Sequence, residues 1–231
     1  LSCNTPHTIV EGFRGIGLSP TKWLGKKEFY DSFDKFVPCI TLSGDKAYFW
    51  SKYNHVRIDF DGLKERILNS EWYRKGLQYH EYGHAKAALQ GNWEGNADFK
   101  NLYKRFFADY NKPEYRYVDG EGVSRWKIAD RLFEELKLVK DKTYDVTEQF
   151  GKISDTLQAI DKDHNWIQGM LGHEVDYFAS SSHNCLAEII AHLSENYWSN
   201  NKYFKKVLPR LYNEAMALYE KYYKLNKPTK R

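Results

Sequence analysis

The sequence predicts a mainly helical α+β fold with one small sheet. Three observations predict it. Apolar residues recur at helical spacing through most of the chain beyond residue 70. A period of two runs from His55 to Phe60, with Val56, Ile58 and Phe60 interleaved between His55, Arg57 and Asp59. The chain has 231 residues and shows no internal repeat, which fits one large domain, here residues 26–225.

Residues 1–25 are rich in Gly, Pro, Ser and Thr and are expected to form an irregular arm. Phe29, Phe33 and Phe36 are spaced for a short amphipathic helix over 26–36. A turn at Tyr53-Asn54 divides 46–60 into a paired aromatic run and alternating strand. A helix should start at Asn69 or Ser70, either of which can cap it, and run through 71–90 to a stop at Gly91 and Asn92. Residues 97–110 read as an amphipathic helix and 111–124 as a loop. Two further helices are expected over 125–139, with Trp126, Ile128, Leu132, Phe133 and Leu136 as its stripe, and over 145–160. Residues 161–184 are loop-like and carry His164, His173 and His183. A strong helix follows over 185–198, and a last one over 202–225 that Pro209 kinks or breaks. Residues 226–231 form a basic tail.

Composition excludes several classes of function. Hydrophobic residues at 42% and charged residues at 29% describe a globular chain. Aromatics reach 16%, enough for an aromatic core or a gripping surface. A net charge of +4, well mixed, gives no specific nucleic-acid signal. The lysine-rich ends read as solvated faces. No stretch approaches the roughly 18 apolar residues of a membrane span, and no segment reads as a signal peptide. Cys3, Cys39 and Cys185 suggest neither a disulfide framework nor a zinc knuckle. The chain opens at Leu1, as expected of a processed product or a domain of a longer protein. Its compartment is not legible, with virion-associated and cytoplasmic settings both open.

Chemistry concentrates in His80-Glu81-Tyr82-Gly83-His84, an HExxH run on an expected helix. Positions four apart share a helical face, so both imidazoles reach one metal ion. Glu81 then stands beside that metal, where it can take a proton from a bound water. Gly83 inside a helix costs about 1 kcal/mol relative to Ala, which makes sense where another backbone or a metal site crowds the helix.

A catalytic zinc needs a third protein ligand and one open position. Downstream candidates are His164, His173, Glu174, His183, Glu188, His192 and Glu195. Glu188 fits best, because it lies on a strong helix beside Ile189 and Ile190, with His192 one turn on. The pair His173-Glu174 is the alternative, on a less rigid loop. Gln90 stands where a metzincin requires its third histidine, which excludes that class.

At these residues the sequence resembles the gluzincin metallopeptidases. It looks most like the anthrax lethal-factor-type catalytic domain and its relatives in phage minor head (MuF-type) proteins. Tyr79–Ala85 (YHEYGHA) is similar to the family pattern of HE, an aromatic, GH and a small residue, and Ala187–Leu193 (AEIIAHL) to its glutamate helix. Gly172-His173 followed by Tyr177-Phe178 resembles a segment of the phage-associated members. The resemblance implies a zincin-like fold with the small sheet beside the HExxH helix. It implies His80, His84 and Glu188 as zinc ligands and Glu81 as general base. Lethal factor carries an oxyanion-steadying tyrosine seven residues before the glutamate, a place held here by Ser181. Tyr177 is then the candidate for that role. His192 would orient a ligand or donate to substrate. The stretch from His84 to Glu188 is longer than usual for this class, so 97–139 is expected to be a helical insertion or lid.

The expected function is zinc-dependent hydrolysis of a peptide or protein substrate, in a domain of a phage- or prophage-associated protein. The alternative is a non-catalytic zincin-fold module that binds phage structural proteins, with zinc closed off by four protein ligands.

Overall fold

A computed structural model describes residues 1–89, 93–122, 124–128, 130, 153–164, 173–200 and 202–223. In chain order the elements are α1 (His7–Gly15), α2 (Pro20–Trp23), α3 (Lys27–Asp31), β1 (Cys39–Ile40), β2 (Ala47–Trp50), β3 (His55–Ile58), α4 (Lys64–Asn69) and α5 (Leu77–Leu89). There follow α6 (Ala97–Tyr110), β4 (Arg116–Val118), β5 (Ser124–Trp126), α7 (Ser154–Ile160), α8 (Val175–Ala179), α9 (Ser182–Trp198), α10 (Tyr203–Val207) and α11 (Pro209–Tyr223). The chain is mostly helical with a small three-stranded sheet, as its periodicity predicts.

That sheet has the order β1-β3-β2. β3 pairs parallel with β1 and antiparallel with β2, with Phe49 opposite Val56 and Trp50 opposite His55. The expected turn lies between β2 and β3, where Asn54 adopts a φ of 50°, a left-handed conformation that Asn tolerates well. β2 is one of the two outer strands of this sheet and lies along α5.

Several elements differ from expectation. The N-terminal arm is not irregular, because it carries α1 and α2. Ile9, Val10 and Phe13 of α1 are buried, Pro6 sits just ahead of its first turn, and Gly17 takes a φ of 85° just past its end. The helix over 26–36 shortens to α3, so Phe29 and Phe33 are buried while Phe36 is exposed. The loop expected over 111–124 contains β4, which pairs antiparallel with β5 around Gly122 (φ 78°). Trp126, expected on a helix, ends β5 and donates its indole N–H to the Tyr110 carbonyl at 2.9 Å. Most of the helix expected over 125–139, the first half of that over 145–160, the stop at Gly91-Asn92 and the basic tail lie outside the described residues.

The described part of the expected insertion belongs to the core. Phe99, Leu102, Tyr103 and Phe106 of α6 pack into the main hydrophobic cluster, and the Tyr103 hydroxyl donates to the Ala159 carbonyl of α7 at 2.9 Å. Aromatic content resolves largely into that core. The Phe29 ring meets Tyr30, Phe33, Tyr79, Tyr82 and Trp198 at centroid distances of 4.9–6.3 Å, tying α3 to α5 and α9. Pro209 separates α10 from α11 by starting the latter, where its missing N–H costs nothing. Among the described residues, no helix is long and apolar enough to cross a membrane.

Candidate metal centre

Two helices build the site. α5 is led in by one wide turn, Trp72–Gly76, and the Ser70 hydroxyl accepts the Tyr73 N–H at 3.4 Å, so Ser70 supplies the expected cap. α9 begins at Ser181, whose hydroxyl accepts the His183 N–H at 3.1 Å. The two helices cross closely at Gly83, facing Ala191 and Ser194. This contact sets the first HExxH turn against the turn carrying Glu188.

His80, His84 and Glu188 come together there. The His80 Nε2 lies 3.1 Å and the His84 Nε2 3.5 Å from the same oxygen, Glu188 Oε2. Metal bonds of about 2.1 Å in a tetrahedron give ligand-to-ligand edges of about 3.4 Å, so this trio has the separations of a His₂Glu site. Glu188 is 1% exposed, and Glu81 is also buried while lining the adjoining cleft. A buried carboxylate between two imidazoles is stable only with a cation among them, whether a proton or a metal. Burial alone would raise the Glu188 pKa, but the positive charge of His84 and the hydrogen bonds from His80 and His84 hold it well below the usual carboxylate range. For His80, burial works downward and is outweighed by Glu188 and Glu195, leaving it well above the ordinary imidazole value. Burial raises Glu81, with the His80 and His84 charges opposing.

Around the trio sit groups that position it. The His80 Nδ1 faces Glu195 Oε2 at 3.5 Å, the usual place for a carboxylate that orients a ligating histidine. His192 does not join the trio. Its ring lies 4.9 Å from that of His80, and its Nδ1 accepts from the Thr156 N–H at 3.3 Å with the Thr156 hydroxyl 2.8 Å away. Burial and the nearby His80 charge drive the His192 pKa well below its ordinary value, so it is a neutral imidazole.

The second candidate group stands on the other side of Glu188. The Tyr177 hydroxyl donates to Glu188 Oε1 at 2.9 Å, and the Tyr177 carbonyl accepts from the Asn184 amide at 2.8 Å, which fastens α8 to α9. Ser181 is the α9 cap, so the phenol here comes from four residues earlier. His173 stacks on Tyr177 with centroids 3.9 Å apart. Its backbone N–H donates to Asp155 Oδ1 at 2.9 Å and its Nδ1 lies 3.1 Å from Asp155 Oδ2. His173 Nδ1 is 3.8 Å from Glu188 Oε1, so Asp155 and not the His80–His84 face is its partner. Burial lowers the His173 pKa, but the Asp155 hydrogen bond and the Glu188 charge raise it to about 9. Glu174 and His183 are near the site, and His164 turns away to the Gln158 carbonyl at 2.8 Å.

A cleft of about 450 Å³ opens onto this centre. β2 forms one wall through Ala47, Tyr48 and Phe49, and α5 and α9 form the floor through His84, Glu81, Ala187 and Glu188. No family model matches the chain, and no similar curated protein or solved structure is found. The functional reading therefore stands on this geometry.

Sequence reasoning did not find Asp155 or Thr156, which no motif marks, and it took Glu195 for a candidate ligand. The signal for Glu195 was its place seven residues after Glu188, two turns along the same helical face.

Proposed function

We propose that the chain is a zinc-dependent peptidase of zincin type. The observation that carries this reading is the convergence of two imidazole Nε2 atoms on one buried glutamate oxygen at the floor of an open cleft. The donor set fits zinc: two neutral nitrogen donors and one carboxylate, borderline-soft, at tetrahedral spacing. His80, His84 and Glu188 would hold the ion, with Glu195 behind His80.

Zinc bound there would supply a Lewis acid for the scissile carbonyl and a more acidic water. Glu81 takes the proton lost by the attacking water and returns it to the leaving amine. Its raised pKa brings it closer to the working pH, where a general base is most effective. Tyr177 and His173, the latter held by Asp155, are hydrogen-bond donors for the oxyanion of the tetrahedral intermediate. Among the described residues no strand pairs with the outer edge of β2 beside this floor, so an extended peptide can pair with it as an added strand. An open cleft beside the trio argues for this reading over a closed structural zinc site. A phage-associated parent protein has support from motif resemblance alone.

The test is elemental analysis of purified wild type, His84→Ala and Glu188→Ala, followed by peptide-library cleavage with wild type and Glu81→Gln. The expected result is about one zinc in wild type, loss of most of it in both ligand variants, and zinc without turnover in Glu81→Gln. A wild type that stays metal-free in zinc buffer overturns the proposal. Zinc retained in Glu188→Ala but lost in His84→Ala moves the third ligand elsewhere, with His173 next to test.

A further inference from the structure

One acidic side chain in the cleft has no part in the chemistry above. Glu94 lies in the short turn Trp93–Gly95 that leads into α6. It is 5% exposed and lines the same cleft as Glu81, His84, His183 and Ala187. Among the described residues no hydrogen bond or ion pair to its carboxylate is found, and its oxygens are not sealed from solvent, so the carboxylate opens into the cleft. A carboxylate that opens into a cleft without a partner in the fold is free to take a counter-charge from a bound molecule.

The rest of the cleft points the same way. Among the described residues no Lys or Arg lines this cleft, while Glu81, Glu94 and Glu188 all do. Glu188 and Glu81 are committed to the metal centre. Glu94 is left as a cleft carboxylate outside that centre.

We propose that Glu94 is a specificity-determining residue that binds a cationic group of the substrate, an ammonium or guanidinium close to the scissile bond. The proposal rests on the peptidase reading and names its substrate class: peptides with a Lys or Arg side chain, or a free α-ammonium, placed at Glu94. A charge-assisted hydrogen bond of this kind is worth about ten- to a hundredfold in discrimination.

The test uses the zinc-loaded chain and matched peptides. One series replaces Lys or Arg by Gln at each position around the cleaved bond, and another acetylates the N-terminus. Wild type is expected to favour the cationic member of one series by at least about tenfold in kcat/KM, and the responding series identifies the source of the charge. Glu94→Gln should bring that ratio close to one while cleaving the neutral peptide within a few-fold of wild type. With no partner to its carboxylate among the described residues, Glu94→Gln should fold with an unchanged Tm. A second arm measures binding of the same peptides by calorimetry to Glu81→Gln and to Glu81→Gln/Glu94→Gln, without turnover. Selective loss of cationic-peptide binding in the double variant supports the proposal even where no cleavage is seen, in which case only the peptidase reading falls. A preference for cationic peptides that survives Glu94→Gln, or no preference in either arm, overturns it.

Discussion

Gly83 of α5 and Ser194 of α9 meet where the two site helices cross. A Cβ built on Gly83 would stand 2.7 Å from the Ser194 Cβ and 3.3 Å from the Ala191 Cα. Contacts that short force one helix to move. The HExxH glycine is therefore a spacer that fixes how near His80 and His84 come to Glu188. Gly83→Ala gains about 1 kcal/mol of helix propensity but overpacks the crossing, at about 1–3 kcal/mol. We expect a lower Tm and weaker zinc binding, read by thermal melts and chelator competition. An alanine variant as stable and as tight as wild type would show that the crossing has slack.

Glu195 stands behind His80, with Oε2 at 3.5 Å from the Nδ1. Glu195→Gln removes the charge that orients this imidazole and raises its basicity. Zinc affinity should fall about tenfold, at the low end of such outer contacts. Competition with a chromogenic chelator measures it. Unchanged affinity would mean that His80 is oriented by its packing against Trp72 and His192 alone.

Tyr177 touches the proposed ligand Glu188 and also faces the cleft. Tyr177→Phe separates these two roles. As an oxyanion donor it should keep its zinc and lose about 10²–10³ in kcat with little change in KM. If the variant loses zinc instead, the phenol serves to hold Glu188.

Lys86 lies two residues past His84, on a part of α5 packed against the aromatic core. It is buried, donates to the Ser32 carbonyl and sits over the Phe33 and Tyr223 rings. Burial lowers its pKa to about 8 from 10.5, with Asp34 opposing. Between pH 8 and 10.5 the unfolded chain therefore binds more protons at this site than the folded one, so stability rises with pH across that window. Below pH 8 the folded state carries the full penalty, roughly 3 kcal/mol. Lys86→Met should lack this rise. The check is the difference between wild-type and Lys86→Met denaturation free energies across the window, and a difference that stays flat would refute the assignment.

Much of the site was legible because helices repeat. His80 and His84 share a face by spacing alone, and Ile189 and Ile190 marked the Glu188 helix as buried. The β2–β3 hairpin was legible from alternation and an Asn-containing turn. What escaped was set by tertiary contact. Gly12, Gly15 and Gly17 disguised α1, whose apolar residues Ile9, Val10 and Phe13 are buried against the rest of the fold. Gly120 and Gly122 suggested a loop where they turn β4 back on β5. Asp155 and Thr156 open α7, far along the chain from the residues they position, and nothing in their local sequence links them to His173 or His192.

His80 and Glu188 are separated by 108 positions. An ion joining them is a removable cross-link that closes a very large ring of backbone. Loop closure on this scale carries a high entropic cost before any ligand contact rewards it. Isolated peptides spanning α5 or α9 would therefore bind zinc only feebly. In the whole chain the ion can be gripped only after distant segments have docked, so metal capture should come late in folding, and chelation should release a ring constraint along with a catalytic group.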